Sequence, residues 1–310
     1  MNRKKWKLGL KILATVAALA VVVIFVDFRK AAKGLAQADM LWFAGSILVL
    51  MLSIVPQSIR WRGMLRRPDI PLRKFAYFLF MGYFLNLFIP SQVGSDLVRS
   101  TAFGKRHGEV GLNIAVALAQ RVIGLGLLLL FAAAGWWFYG GSIAGKIGWS
   151  LSAGKIATAA GLTILVIIAA WLARDRWRKS PVFLGLWDSL TDPSLVGWAI
   201  VHSFTIQVLT SVSTWMLFRA VFPSPDFWQI TLFNSIVQVA LLLPLSVGGV
   251  GVRDVLNLAL YSGLGGMPTE KIVTVGLLGY SSLIFLALMG GSWMGFRAIV
   301  GRNQPASSED

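Results

Sequence analysis

The chain has 310 residues, 56% hydrophobic and only 14% charged, with a mean hydropathy of +0.71. Soluble domains carry about a quarter charged residues, so a soluble enzyme is excluded. No cysteine and only two histidines are present, which removes disulfides, thiolate chemistry and His-rich metal sites; no metal and no cofactor is expected.

In chain order, apolar runs occupy residues 8–26, 41–55, 112–138, 156–171, 195–222 and 272–296. Each approaches or exceeds the roughly 20 residues that cross a hydrocarbon core about 30 Å thick. A polytopic membrane protein follows. The formal charge of +16 would suggest nucleic acid in a soluble chain, but here the cations sit beside the apolar runs and fit anionic lipid headgroups, so nucleic acid is not an expected partner. Arg3, Lys4, Lys5, Lys7 and Lys11 place the N-terminus in the cytoplasm, with the first run read as an uncleaved anchor although Ala36-Gln37-Ala38 resembles a cleavage site. Arg60, Arg62, Arg66, Arg67, Arg73 and Lys74 then mark a cytoplasmic loop, Arg174 to Lys179 another, and Arg297 with Arg302 a cytoplasmic C-terminus. Arg219 reads as a snorkelling residue and His202 as a packing residue.

Two segments do not behave as plain spans. Residues 75–89 run into Pro90-Ser91-Gln92-Val93-Gly94-Ser95-Asp96, and residues 227–243 run into Pro244-Leu245-Ser246-Val247-Gly248-Gly249-Val250-Gly251. Proline removes a backbone donor and glycine admits unusual dihedrals, so each helix should break there. Irregular backbone at membrane depth is tolerated only inside protein or along a wet cavity. Both segments therefore read as re-entrant hairpins. Pro90-x-x-Val93-Gly94-x-x-x-Val98-Arg99 also matches Pro244-x-x-Val247-Gly248-x-x-x-Val252-Arg253 without a gap, at an offset (244 − 90) close to half the chain length. The expected fold is all-α and polytopic: two inverted repeats, residues 1–155 (hairpin 75–105) and 156–302 (hairpin 227–262), and a polar tail 303–310. Three spans per repeat make the second repeat enter the membrane from the opposite side, the architecture of alternating-access transporters.

The chemistry concentrates at the breaks. Free backbone amides at a new helix start and glycine-rich turns favour anions. Each break carries an arginine and a carboxylate, Asp96 with Arg99 and Arg253 with Asp254, and Gln120-Arg121 lies inside the next span. An unpaired arginine at bilayer depth costs about 3 kcal/mol or more, so Arg121 calls for an anionic partner. The candidate substrate-binding set is Asn86, Pro90, Ser91, Gly94, Asp96, Arg99, Gln120, Arg121, Pro244, Ser246, Gly248, Gly249, Gly251, Arg253 and Asp254. Arg99, Arg121 and Arg253 would hold a phosphate, the neutral side chains would add hydrogen bonds, and the glycines would admit close backbone approach.

The stretch from Arg60-Trp61-Arg62 through Asn86-Leu87-Phe88-Ile89-Pro90-Ser91-Gln92-Val93-Gly94-Ser95-Asp96-Leu97-Val98-Arg99 resembles the lysylphosphatidylglycerol synthase transmembrane-domain family, the flippase-like region of bacterial multiple-peptide-resistance factors and stand-alone relatives. The family's Pro…Gly-Gly-Asp-x-x-Arg pattern is present with Ser95 for the second glycine. Its acidic-Arg-x-x-Gly pattern is present as Gln120-Arg121-x-x-Gly124 without the acid. Its Pro-x-Ser-x-Gly-Gly-x-Gly-x-Arg-Glu pattern runs from Pro244 to Arg253-Asp254, with Asp for Glu. The resemblance covers roughly residues 8–300 and implies lipid translocation in an inner membrane, or membrane support for lipid modification. The length leaves no room for the aminoacyl-transferase domain of the resistance factors, so aminoacylation by this chain alone is not expected. The expected function is flippase-like movement of an anionic or polyprenyl-phosphate lipid headgroup between leaflets, without catalysis, the membrane phospholipid or polyprenyl-phosphate lipid being the partner. A membrane-embedded lipid- or glycan-modifying transferase, or a non-catalytic partner of a lipid-modifying enzyme, is the alternative.

Overall fold

The computed structural model describes Lys33, residues 36–86, Ile89, and residues 92–147, 180–242 and 251–302. The expected spans 8–26 and 156–171 lie outside the described residues, as do Pro90, Ser91, Pro244, Ser246, Gly248 and Gly249. Among the described residues every regular element is helical, and four helices are long and apolar enough to cross a membrane: Met40–Met64, Val110–Ser142, Pro193–Arg219 and Thr269–Trp293.

The first of these comprises α1 (Met40–Leu52) and α2 (Ile54–Met64). Asp39 caps α1, its carboxylate accepting from the Leu41 and Trp42 amides at 2.9 and 3.3 Å. The helix is interrupted at Ser53 because Pro56, four residues after Leu52, has no N–H to give the Leu52 carbonyl and its ring crowds it. Beyond the break α2 continues past the apolar run to Met64 and stops at Arg66, in the left-handed region at φ 53°.

Next come two short helices, α3 (Leu72–Leu85) and α4 (Gln92–His107). At 1.5 Å per residue they are about 21 and 24 Å long, short of a hydrocarbon core. They enclose an aromatic core in which Trp61 of α2, Phe75 and Phe103 pack edge-on or tilted with centroids 4.7–5.4 Å apart. Gly108 and Glu109, both at positive φ, turn the chain into α5 (Val110–Ile147), a long helix of about 57 Å. A short helix, α6 (Pro181–Thr191), lies on α5 through Gly185, where a Cβ would already meet Ala115 and Leu112 at 3.1 and 3.2 Å. Asp192 then caps α7 (Pro193–Arg219) and pairs with Arg66.

α7 packs on α1 through small and polar residues, the Ser213 hydroxyl donating to the Ser46 carbonyl at 2.8 Å. At its end Arg219 donates to the Phe222 carbonyl and lies 5.4 Å from the Trp42 ring centre, anchored at the helix C-terminus. Two further short elements follow: α8 (Phe227–Ala240), again about 21 Å, and α9 (Val252–Asn257) continuing into a π-helical turn (Leu258–Leu264). The Tyr261 hydroxyl ties that turn to the Ile230 carbonyl of α8 at 3.1 Å. The chain closes with α10 (Thr269–Arg302).

The order span, short helix, short helix, span therefore occurs twice, and the packing crosses between the two sets. α5 lies on α8, α10 lies on α3, and α1 lies on α7. Glycines make both crossed contacts close: a Cβ at Gly135 of α5 would stand 2.9 Å from the Leu232 backbone, and one at Gly290 of α10 would overlap the Phe80 carbonyl.

Candidate functional site

Residues that flank the breaks between the short helices, Asn86 and Ser95 at the first and Leu242 and Arg253 at the second, line a common cavity of about 320 Å³, bounded also by α2, α5 and α7. Four arginines line it: Arg60 from α2, Arg99 from α4, Arg121 from α5 and Arg253 from α9. Among the described residues Asp96 is the one carboxylate in the lining.

Asp96 bridges two helices. Its Oδ1 lies 3.0 Å from Arg99 Nη2, one turn along α4, and its Oδ2 accepts from Arg121 Nε on α5 at 2.6 Å and pairs with Arg121 Nη2. Arg99 also lies over the Trp61 ring at 5.2 Å. It fits because residue 82 is glycine: a Cβ there would stand 3.0 Å from the Arg99 Cδ. Arg60 has neutral partners, donating to the Ser203 hydroxyl at 2.6 Å and to Gln120 Oε1 at 3.3 Å. Arg253 lies over the Tyr280 ring at 5.8 Å. Several polar atoms around the cavity are buried without a partner among the described residues: Arg60 Nε, Arg99 Nε, Gln120 Nε2 and Asn86 Oδ1. Buried polar atoms normally find partners, so three spare donors and one spare acceptor at one cavity leave it able to hydrogen-bond a polar guest.

Of the sequence-derived candidates, the structure brings Asn86, Asp96, Arg99, Gln120, Arg121 and Arg253 to this cavity. Gly94, Gly251 and Asp254 are not in its lining. Asp254, expected among the binding residues, turns back instead to accept from the Gly251 amide at 3.1 Å and the Tyr280 hydroxyl at 2.7 Å, completing the helix cap. Among the described residues no carboxylate pairs with Arg253. Gly251, at φ 81°, holds a backbone conformation that a side chain would strain.

Arg60 is a second correction. The charge pattern assigns it to a cytoplasmic basic loop, whereas α2 carries it to the cavity wall with Gln57, three residues earlier on the same face. Ser203, Gln207 and Thr210 of α7 and Gln238 of α8 were also missed. The available signal was polar side chains at helical spacing (203, 207) inside an apolar span, a pattern that marks an inward face.

The basic residues beyond α2 do form a surface end. Arg67 pairs with Asp69 at 3.0 Å, which raises the Arg67 pKa and lowers that of Asp69, and it donates to the His107 carbonyl at 3.1 Å. Asp192 is held down to about 2, chiefly by the Ser194 hydroxyl it accepts from, then by the Ser194 and Leu195 amides and the nearby Arg66.

The model of the lysylphosphatidylglycerol synthase transmembrane region matches residues 10–290. The chain belongs to that family. No curated protein and no solved structure matches the chain. As a member of the lysylphosphatidylglycerol synthase transmembrane family it is a membrane protein related to lipid handling.

Proposed function

We propose that this protein is a flippase-type lipid transporter of the inner membrane, a carrier and not an enzyme, which moves an anionic or polyprenyl-phosphate headgroup between leaflets. The observation that supports it most is the convergence of four arginines with one carboxylate on a cavity that also keeps unpartnered donors. The headgroup phosphate would lie between the guanidiniums while the acyl or prenyl tails stay in the bilayer.

In this reading α3–α4 and α8–α9 are re-entrant hairpins of two inverted repeats, with both termini cytoplasmic. Their shortness, the matching sequence at the breaks and the crossed packing of α5 on α8 and α10 on α3 support it. Rocking one repeat against the other would open the cavity to each leaflet in turn.

The test is a headgroup-accessibility assay on purified protein in vesicles carrying a labelled anionic lipid. Protein-dependent movement is expected, and the Arg99→Ala/Arg253→Ala double variant should abolish it. Wild-type rates in that variant would remove these residues from the mechanism, and no movement of any anionic lipid would remove the transport reading.

A further inference from the structure

The charge balance of the cavity goes one step further than an anionic guest and deepens the transport reading on which it rests. Among the described residues the lining contains four guanidiniums, which stay protonated in proteins, and one carboxylate, a surplus of three positive charges. Asp96 is already shared between Arg99 and Arg121. Arg60 has only a hydroxyl and an amide oxygen, and Arg253 only a ring face, as described partners. In the sequence, the segments 87–91 and 243–250 contain no acidic residue.

We infer that the headgroup this cavity selects is a terminal phosphate monoester, carrying about two negative charges, and not a phosphodiester. A diester such as phosphatidylglycerol brings one negative charge and two free oxygens, enough for one bidentate arginine. A monoester brings roughly −1.5 to −2 at neutral pH and three acceptor oxygens. Three oxygens can meet Arg60 and Arg253 while leaving an acceptor for the spare donors Arg99 Nε and Gln120 Nε2, without displacing Asp96 from its two arginines. A headgroup bearing an added ammonium would increase the surplus. Phosphatidic acid and a polyprenyl phosphate share this chemistry and differ only in their tails.

Nanodiscs of phosphatidylcholine containing the full chain are doped with equimolar phosphatidic acid, polyprenyl phosphate or phosphatidylglycerol, and lipid retained on the protein is quantified by native mass spectrometry. At pH 8 the monoesters should be retained roughly tenfold over phosphatidylglycerol, the equivalent of one further charge-assisted hydrogen bond. At pH 5 the second phosphate proton, which leaves near pH 6, has returned, and the preference should fall several-fold. The charged groups facing the guest are Asp96 and Arg99 of α4, Arg60 of α2, Arg121 of α5 and Arg253 of α9; α7, α8 and α10 contribute neutral side chains. Any titration of the cavity itself moves the diester arm too and is thereby subtracted. Arg60→Gln and Arg253→Gln should each lower monoester retention more than diester retention, cutting the ratio between them at least threefold.

Equal retention of monoester and diester at pH 8, or a preference that does not change with pH, overturns the headgroup assignment; the wild-type pH series decides this even where a variant does not fold. A ratio between the two monoesters far from one identifies the tail class. Arginine-dependent movement of phosphatidylglycerol as fast as either monoester sinks this inference alone, whereas failure to retain or move any anionic lipid sinks the transport reading beneath it.

Discussion

Asp96 shows how much one side chain decides. It neutralises two arginines on different helices, so its loss leaves both facing one another across the cavity wall. Asp96→Asn keeps the shape and one carbonyl oxygen but removes the charge. Breaking a buried pair by removing one partner costs about 3–5 kcal/mol, and less here because the Arg121 side chain is 32% exposed. The expected outcome is a lower melting temperature of the lipid-free protein in detergent, with a larger gain on adding anionic lipid than wild type shows, since a phosphate can then take the vacated place. Equal lipid gains in the two proteins would contradict it. His107 provides a pH prediction at the surface end. Burial against Phe103 and Phe78, then the nearby Lys74, Arg106 and Arg67 charges, lower its pKa below the ordinary 6.5. A histidine depressed in the folded state contributes stability that is present above 6.5 and lost as pH falls through its folded value. Thermal unfolding should therefore be easier at pH 5.5 than at pH 7.5, and His107→Gln should narrow the difference. At this scale the sequence was partly legible: Arg99, Arg121 and Arg253 stand out as cations beside breaks or within apolar stretches. Arg60 did not, because it lies in a run of arginines and its hydrogen-bond partners are 143 and 60 residues away in the chain.

At the scale of elements, the breaks between α3 and α4 and between α8 and α9 were readable because proline and clustered glycine act locally. The continuation of α2 to Met64 was not, because aromatic packing of Trp61 against Phe75 and Phe103, a tertiary effect, stabilises it beyond the apolar run. Nor was the destination of Asp254, whose cap depends on Tyr280 from another helix. Glycine substitutions separate close packing from empty space. A Cβ at Gly290 would overlap the Phe80 carbonyl, and backbone yields less than a side chain, so Gly290→Ala should destabilise by about 1–3 kcal/mol. At Gly126 of α5 a Cβ meets nothing within 4 Å, and Gly126→Ala should be neutral or stabilising by up to about 1 kcal/mol. Denaturation in detergent, without lipid, reads both. Gly124 combines open space with a place in the cavity wall. Gly124→Phe should leave the melting temperature near wild type and yet suppress lipid binding by filling the site, and retained binding would show that the guest lies elsewhere.

For the whole molecule, the crossed packing sets what a rocking motion can do. Because α5 grips α8 and α10 grips α3 through backbone-close glycine contacts, each pair should move as a unit, and relative motion is directed to the contacts around the cavity, including α7 on α1. The helical, membrane-spanning character of the chain was visible in the sequence, but the packing of α5 on α8 and of α10 on α3 was not, since no local pattern encodes which helix a glycine meets. That packing makes a prediction about access. The chain has no cysteine, so single introduced thiols report cleanly. Asn86→Cys, beside the first break, and Gln238→Cys, near the second, both line the cavity. Under alternating access each should react with a membrane-impermeant thiol reagent from both faces of an oriented vesicle as the protein cycles, and a bound anionic lipid should slow both reactions together, because one headgroup blocks one cavity. If labelling of both positions comes from the same face only, with and without lipid, the cavity is a one-sided cleft, and movement of a headgroup through it between leaflets is ruled out.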